Sequence, residues 1–189
     1  IIYQMYNENK VEIDRKIAGL LCSAILSDTL LFRSPTCTAV DKAAALELAE
    51  IAGVDAESLA KEMFEAGSKL KGKTDSEIFY QDFKRFTAGK LTFGVGQITS
   101  LNVEELGKIK ERLIEYIGEA RNEQKVDMMF FMMTNILEQS TELICDGQGA
   151  EQLAALAFHL KEGAKVVTLP GVVSRKKQLI PALMIATEQ

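Results

Sequence analysis

The strongest constraint on the fold is the run Val126 to Met133, in which every residue except Asp127 is apolar. The run is far too short to cross a membrane as a helix. It is apolar at both odd and even positions, so a strand here would bury both of its faces, as interior strands do in sheets covered on both sides. We therefore expect an interior strand rather than an edge strand.

Further strands and helices alternate around this run. Asn102 and Glu105 have the spacing of a capping box at the start of a long helix. Leu106, Ile109 and Leu113, with Ile117, recur at the spacing of that helix's apolar face. Alternation of this kind predicts an α/β domain with a mixed sheet. The expected strands are 83–86, 91–98, 126–133, 141–145 and 165–169, and a second helix is expected over 150–160.

The first third of the chain has a helical pattern instead. A helix is expected over about 11–26, a second over about 41–52 ending at Gly53, and a third from Asp55 to Gly67. The apolar face of the first is expected to hold the residues that recur at helical spacing, namely Ile13, Ile17, Leu20, Leu21, Ala24 and Ile25. Residues 67–75 are polar and glycine-containing, which is typical of a linker. The predicted domains are therefore 1–66 and 76–189.

Composition excludes several classes of function. A net charge of -5 argues against broad nucleic-acid binding, and no apolar run could span a membrane. With one histidine, His159, the chain cannot build a metal site from imidazoles alone. The three cysteines are widely spaced without a CxxC pair, which fits reduced thiols and a cytoplasmic protein. The chain opens at Ile1 without an initiator Met, and we interpret it as an excised or processed piece of a longer protein.

Five residues near the end, Ser174-Arg175-Lys176-Lys177-Gln178, carry the clearest functional signal. Three adjacent cations in an acidic chain repel one another unless an anion lies against them. Arginine offers a planar fork to phosphate oxygens and lysine a compact charge, so the group suits a small phosphate ligand. A solvated basic patch is the alternative.

Other polar positions have weaker signals. Asp28 follows a buried helix, where it is either a helix-terminal residue or one ligand of a hard cation. Lys84 lies between two phenylalanines in a short strand and has the pattern of an exposed position. Gly94-Val95-Gly96 lacks the full phosphate-loop pattern and predicts close backbone packing. Met128, Met129, Met132 and Met133 are expected in the core, and His159 at the surface or at a helix end.

Three segments together resemble the family II inorganic pyrophosphatases of the DHH phosphoesterase superfamily. Residues 25–36, Ile-Leu-Ser-Asp-Thr-Leu-Leu-Phe-Arg-Ser-Pro-Thr, resemble the family's fourth motif. Residues 82–86, Asp-Phe-Lys-Arg-Phe, and 171–178, Gly-Val-Val-Ser-Arg-Lys-Lys-Gln, resemble its two substrate-binding motifs. They occur in family order, and the resemblance covers essentially the whole chain.

The resemblance implies roles for particular residues. Residues 1–66 would be the end of the DHH catalytic domain and 76–189 the complete substrate-binding domain. Asp28 would ligate a metal, and Lys84, Arg175 and Lys176 would bind pyrophosphate and act in its hydrolysis. The cofactor would be Mn²⁺ or Co²⁺, with Mg²⁺ accompanying the substrate, and the parent enzyme would be a homodimer. The family's other metal-binding motifs are absent from these residues, so we predict that this chain alone is inactive.

The sequence leaves two other functions open. An exopolyphosphatase or related phosphoesterase could use the same cations on a longer substrate. A phosphate-sensing module could retain the cations without catalysis. Some relatives carry a CBS-domain insert upstream of a start like this one, and the present sequence is compatible with that arrangement. Asn135 occupies a position where relatives often carry Asp.

Overall fold

The computed structural model describes residues 1–67, 70, 72–101 and 103–188, which fall into two compact units, Ile1–Gly67 and Ser68–Gln189. Of the predicted linker 67–75, residues 68, 69 and 71 lie outside the described residues. Leu70 is buried in the apolar cluster of the second unit, and a helix begins at Asp75. The later part of the predicted linker therefore belongs structurally to the second unit. Within the described residues, no helix is both long enough and apolar enough to cross a membrane.

The first unit is helical, as expected, and local capping explains where its helices begin. The Asp14 carboxylate accepts the N–H groups of Lys16 and Ile17 at 2.8 and 2.9 Å. Thr38 and Asp41 form a complete capping box, which places the start of the next helix slightly earlier than predicted. The helices are α1 (Ile2–Glu8), α2 (Arg15–Asp28), α3 (Ala39–Ala52) and α4 (Ala56–Gly67).

The predicted apolar face of α2 was partly wrong. Leu20 is 67% exposed and Ala24 is also exposed, whereas Ala18, Cys22 and Leu26 are fully buried. Residues two positions apart on a helix lie roughly 200° apart, so Leu20 points away from the row that contains Ala18 and Cys22. The buried row contains small residues, which the hydrophobic pattern undervalues. Small side chains let α2 pack closely on α3.

The second unit has a five-stranded mixed sheet within its described residues, and the predicted α/β class is confirmed. The strands lie side by side in chain order, and only the pairing of the second with the third is parallel. The strands are β1 (Phe83–Ala88), β2 (Leu91–Ser100), β3 (Met128–Asn135), β4 (Ser140–Asp146) and β5 (Val166–Pro170). The helices are α5 (Asp75–Phe79), α6 (Val103–Gln124), α7 (Ala150–Ala157) and α8 (Ile180–Ala186).

Strand β3 is buried along its whole length, which confirms the prediction of an interior strand. Met129, Phe131 and Met133 pack into the cluster that contains the apolar face of α6. The alternate residues, including Phe130, pack into the cluster that contains Leu153 of α7 and Leu183 of α8. Both sheet faces are therefore covered, as the apolar sequence of β3 requires. The predicted cap of α6, Asn102, lies outside the described residues, but the buried face of that helix is confirmed.

The glycines of β2 allow close packing, as predicted. A Cβ atom on Gly96 would lie 2.6 Å from the Phe131 ring and 2.9 Å from the carbonyl oxygen of Phe79. A Cβ atom on Gly94 would lie 2.7 Å from both Met129 and Phe83. Neither glycine has a positive φ, so the requirement is for space and not for backbone freedom. The phosphate-loop interpretation is not needed to explain them.

The carboxylate of Asp146 joins α6 to the edge of the sheet and gives a pH prediction. Its oxygens accept bonds from Lys165 Nζ at 2.5 Å and Arg121 Nε at 2.7 Å. Burial raises the pKa of Asp146, but the bonds and charges of the two cations outweigh burial and lower the pKa overall. A folded-state pKa below the unfolded value gives stability that is present above about pH 3.9 and lost as the pH falls through the folded value.

We therefore expect Asp146→Asn to reduce the loss of stability between neutral and acid pH. Urea unfolding at pH 7 and at about pH 3 should show a smaller difference in unfolding free energy for the variant than for the wild type. Glu138→Gln, at an exposed position, is a matched control and should retain the full difference. An equal pH dependence in Asp146→Asn and the wild type would contradict the prediction.

Candidate functional site

The basic segment, residues 174–178, forms an unusual turn that leads directly into α8. Ser174 accepts the N–H of Lys177 on its hydroxyl oxygen at 3.2 Å and so caps a π-helical turn over Arg175–Leu179. Such turns are rare and are found frequently at functional sites. Lys176 and Lys177 are exposed, but Arg175 is buried, with 7% of its surface accessible. Of the three adjacent cations, one is therefore enclosed by the protein and two face solvent.

The loop before the basic segment is held by side-chain amides and a hydroxyl. Gln178 accepts the N–H groups of Val173 and Ser174 at 2.9 and 3.0 Å and donates to the carbonyl of Gly171 at 2.7 Å. Buried Thr141 donates to the carbonyl of Val172 at 2.6 Å. These bonds pair several of the loop's backbone groups without regular secondary structure. Gln178 was part of the sequence signal, but its role in holding the loop was not predicted.

The Arg175 guanidinium reaches across to the first strand pair. Its Nη1 donates to the carbonyls of Asp82 at 2.7 Å and Val95 at 3.1 Å, and its Nη2 donates to the Asp82 carboxylate at 2.6 Å. One of the three cations thus already has an anionic partner in the chain itself. Asp82 is part of the segment 82–86 that the resemblance singled out, but its pairing with Arg175 was not predicted, because the two residues are 93 positions apart.

Lys84 lies on the same strand pair. It is exposed, as its sequence pattern predicted, and its register partner in β2 is Val95, whose carbonyl Arg175 contacts. The fold therefore brings Arg175 to the strand pair that carries Lys84. Among the described residues, neither Lys84 nor Lys176 forms a salt bridge. Both ammonium groups are available to an anion in solution.

Asp28 belongs to the first unit, where it is the last residue of α2 and is exposed. A carboxylate at a helix C-terminus faces the negative end of the helix dipole, which is a mildly unfavourable position. Local helix stability therefore does not explain an aspartate here.

The backbone after Asp28 is unusual. Leu30, Leu31 and Phe32 have φ values of 50°, 50° and 66°, a left-handed run that costs non-glycine residues about 1–2 kcal/mol each. Thr29 holds this run in place, since its hydroxyl donates to the carbonyl of Ile25 at 2.7 Å and accepts the N–H of Phe32 at 3.3 Å. Strained backbone of this kind is concentrated at functional sites. It lies within the segment that the resemblance singled out.

Within the described residues, no group of three or more His, Cys, Asp or Glu side chains is arranged to hold a metal ion. Asp28 supplies the oxygen chemistry that Mn²⁺ prefers, but a single carboxylate is far from a full ligand set. These residues therefore do not form a metal centre by themselves. His159 is exposed beyond the end of α7, which agrees with the expected surface position.

Two of the three thiols are buried in the core. Burial raises the pKa of Cys145 to about 12, and it also raises the pKa of Cys22. Both thiols are therefore protonated and unreactive at neutral pH. The four predicted core methionines are buried in β3. Asn135 is buried at the end of that strand and accepts the N–H groups of Leu137 and Glu138 on its side-chain oxygen, so it stabilises a turn.

The fold and these segments define a known class of domain. The family described as the DHHA2 domain matches residues 61–186, and the chain belongs to this family. It is 42% identical over 188 residues to the "Probable manganese-dependent inorganic pyrophosphatase" of Clostridium acetobutylicum, covering 100% of this chain and 60% of that relative. It is 42% identical to the "Manganese-dependent inorganic pyrophosphatase" of Bacillus subtilis, covering 97% of this chain and 59% of the relative.

Two further matches extend the comparison. The "Cobalt-dependent inorganic pyrophosphatase" of Clostridium perfringens is 41% identical over 97% of this chain, which covers 33% of that relative. The crystal structure of a Methanococcus jannaschii protein assigned to the family II inorganic pyrophosphatases has a TM-score of 0.85 and 34% identity. It matches 100% of this chain, which covers 64% of that structure. The chain thus spans about 60% of the length of several curated relatives, and it matches their C-terminal part.

Proposed function

We propose that this chain is the C-terminal part of a metal-dependent inorganic pyrophosphatase that hydrolyses pyrophosphate to two phosphates. The observation that carries the proposal is the contact of Arg175 with the strand pair that bears Lys84, because it unites two basic stretches from distant parts of the sequence. The names of the relatives support pyrophosphate as the substrate and manganese or cobalt as the metal. Residues 1–66 are proposed as the end of the DHH catalytic domain.

The proposed roles follow from charge. Cleavage of a phosphoanhydride leaves negative charge on the departing phosphate, and preorganised cations stabilise that charge. The exposed ammonium groups of Lys84 and Lys176 would bind phosphate oxygens directly, and Arg175 would add a planar donor group. Asp28 would contribute one carboxylate to the metal site. Metal ions, when bound, would supply Lewis acidity and a more acidic water.

These separate roles for the cations and the metal ligand also support the proposal that the chain alone binds phosphates but does not hydrolyse them. Its described residues offer cations for the substrate but no complete set of metal ligands. A parent protein with the remaining ligands would be needed for hydrolysis. We also propose, from the family resemblance, that the parent is a cytoplasmic homodimer. Light scattering measures the mass of the parent in solution, and a mass near that of one subunit would contradict the proposed dimer.

The experiment that tests the function is phosphate release by the full-length parent in manganese, with pyrophosphate and tripolyphosphate in parallel. We expect fast release from pyrophosphate, little from tripolyphosphate, and none from the present chain alone. A preference for tripolyphosphate would instead support an exopolyphosphatase. Binding of pyrophosphate by the parent without any release would support a phosphate-sensing module.

A further inference from the structure

The carboxylate of Asp82 contacts the basic segment although nothing in the proposed mechanism uses it. It accepts a bond from Arg175 Nη2 at 2.6 Å. The two partners differ in environment, since 8% of the Arg175 side chain is exposed and 52% of the Asp82 side chain. The cation is thus enclosed, while the anion faces solvent in the turn just before β1, the strand that carries Lys84. An incoming phosphate would meet this negative charge as it approached the lysines.

We propose that Asp82 is a positioning residue that competes with phosphate anions for Arg175 and thereby sets the affinity of the basic segment. This inference rests on the proposed function and adds to it a residue that limits how tightly the substrate is held. In the absence of an anion, Asp82 neutralises one of four positive charges, those of Lys84, Arg175, Lys176 and Lys177. When a phosphate binds, Arg175 Nη2 exchanges the carboxylate oxygen for a phosphate oxygen.

The surrounding contacts confine this exchange to the Arg175 side chain. Gln178 and Thr141 fix the backbone of residues 171–174, and Gln97 Nε2 adds a bond to the carbonyl of Val173 at 3.4 Å. The Nη1 bonds to main-chain carbonyls need not break, because the guanidinium has five donor hydrogens and phosphate requires only some of them. The exchange therefore requires a new partner only at Nη2, which holds the Asp82 carboxylate.

The same competition predicts the direction of a substitution. Asp82→Asn keeps the shape and an acceptor oxygen but removes the charge, so the anion no longer has to displace a carboxylate. Because about half of the Asp82 side chain is exposed, water screens its charge and the gain is modest: we expect pyrophosphate to bind about two- to fivefold more tightly. A residue that served only to hold the fold would weaken binding when replaced, which is the opposite result.

The test is calorimetric titration of this chain with inorganic pyrophosphate. The matched control is Asp75→Asn, since Asp75 forms a 2.6 Å ion pair with Arg112 in the same unit but lies outside the basic segment. We expect tighter binding for Asp82→Asn and wild-type affinity for Asp75→Asn. The gain in pyrophosphate affinity should disappear when Asp82→Asn is combined with Arg175→Ala, because no guanidinium then remains for Asp82 and phosphate to compete over.

A second measurement covers the case in which Asp82→Asn does not fold. In the wild-type chain, the Nε–Hε resonance of Arg175 should shift on titration with pyrophosphate while that of Arg112 stays constant. Two results would overturn the role of Asp82 and leave the proposed binding site standing. One is an Arg175 resonance that does not shift, and the other is an Asp82→Asn variant that binds pyrophosphate no more tightly than the wild type. Failure of the wild-type chain to bind pyrophosphate at all would overturn this inference and the proposed binding site together.

Discussion

Replacing Phe131 with alanine is expected to lower the free energy of unfolding of the second unit by about 3–5 kcal/mol. Phe131 is fully buried in the middle of β3, and its ring centroid lies 4.7 Å from that of Phe79. Gly96 lies directly against the Phe131 ring and has no side chain that could fill the space. The substitution therefore removes apolar contacts and leaves a cavity between the sheet and α5.

Urea unfolding followed by circular dichroism measures this effect. Thr87→Ala is the control, because Thr87 is exposed on β1, and its replacement should change the unfolding free energy by less than about 0.5 kcal/mol. A loss below about 1 kcal/mol in Phe131→Ala would mean that the surroundings collapse into the space. The side chains at the centre of the sheet would then be able to repack, although both faces of the sheet are fully covered.

The sequence predicted the sheet well because the relevant signals are local. The apolar run of β3 and the face of α6 each reflect burial, which hydrophobic periodicity reports directly. The pattern was less useful for α2, where the small residues Ala18 and Cys22 form the buried row and Leu20 is exposed. The short helices α1, α5 and α8 were not predicted. Helices of this length depend mainly on tertiary contacts.

The candidate site was predictable only in part. The charge run identified Arg175 and Lys176, and the family resemblance added Lys84 and Asp28, whose roles remain predictions. The contact between Arg175 and Asp82 could not be read from the sequence, because it depends on where β1 lies relative to the basic segment. The loop contacts of Gln178 are equally dependent on the folded chain. Residues that bind ligands can be recognised by their charge or chemistry, whereas the residues that hold those side chains in place often have no recognisable sequence pattern.

In the proposed parent enzyme, Arg175→Ala is expected to lower pyrophosphate turnover by roughly 10²-fold or more. The substitution removes a donor that would stabilise charge on the departing phosphate. Lys90→Ala, an exposed cation in the turn between β1 and β2, is the control and should leave turnover near the wild-type value. The measurement is steady-state kcat and KM in manganese.

The buried position of Arg175 means that its replacement also affects the fold, and the two effects must be separated. Arg175→Lys keeps a positive charge but cannot reach two carbonyls and a carboxylate with one planar group. If Arg175 acts on the reacting phosphate, Arg175→Lys should retain part of kcat even where its melting temperature falls as far as that of Arg175→Ala. If Arg175 only fixes the basic segment to β1, kcat should follow the melting temperature in both variants. Unchanged turnover in Arg175→Ala would remove this residue from the mechanism and leave the binding of phosphate to Lys84 and Lys176.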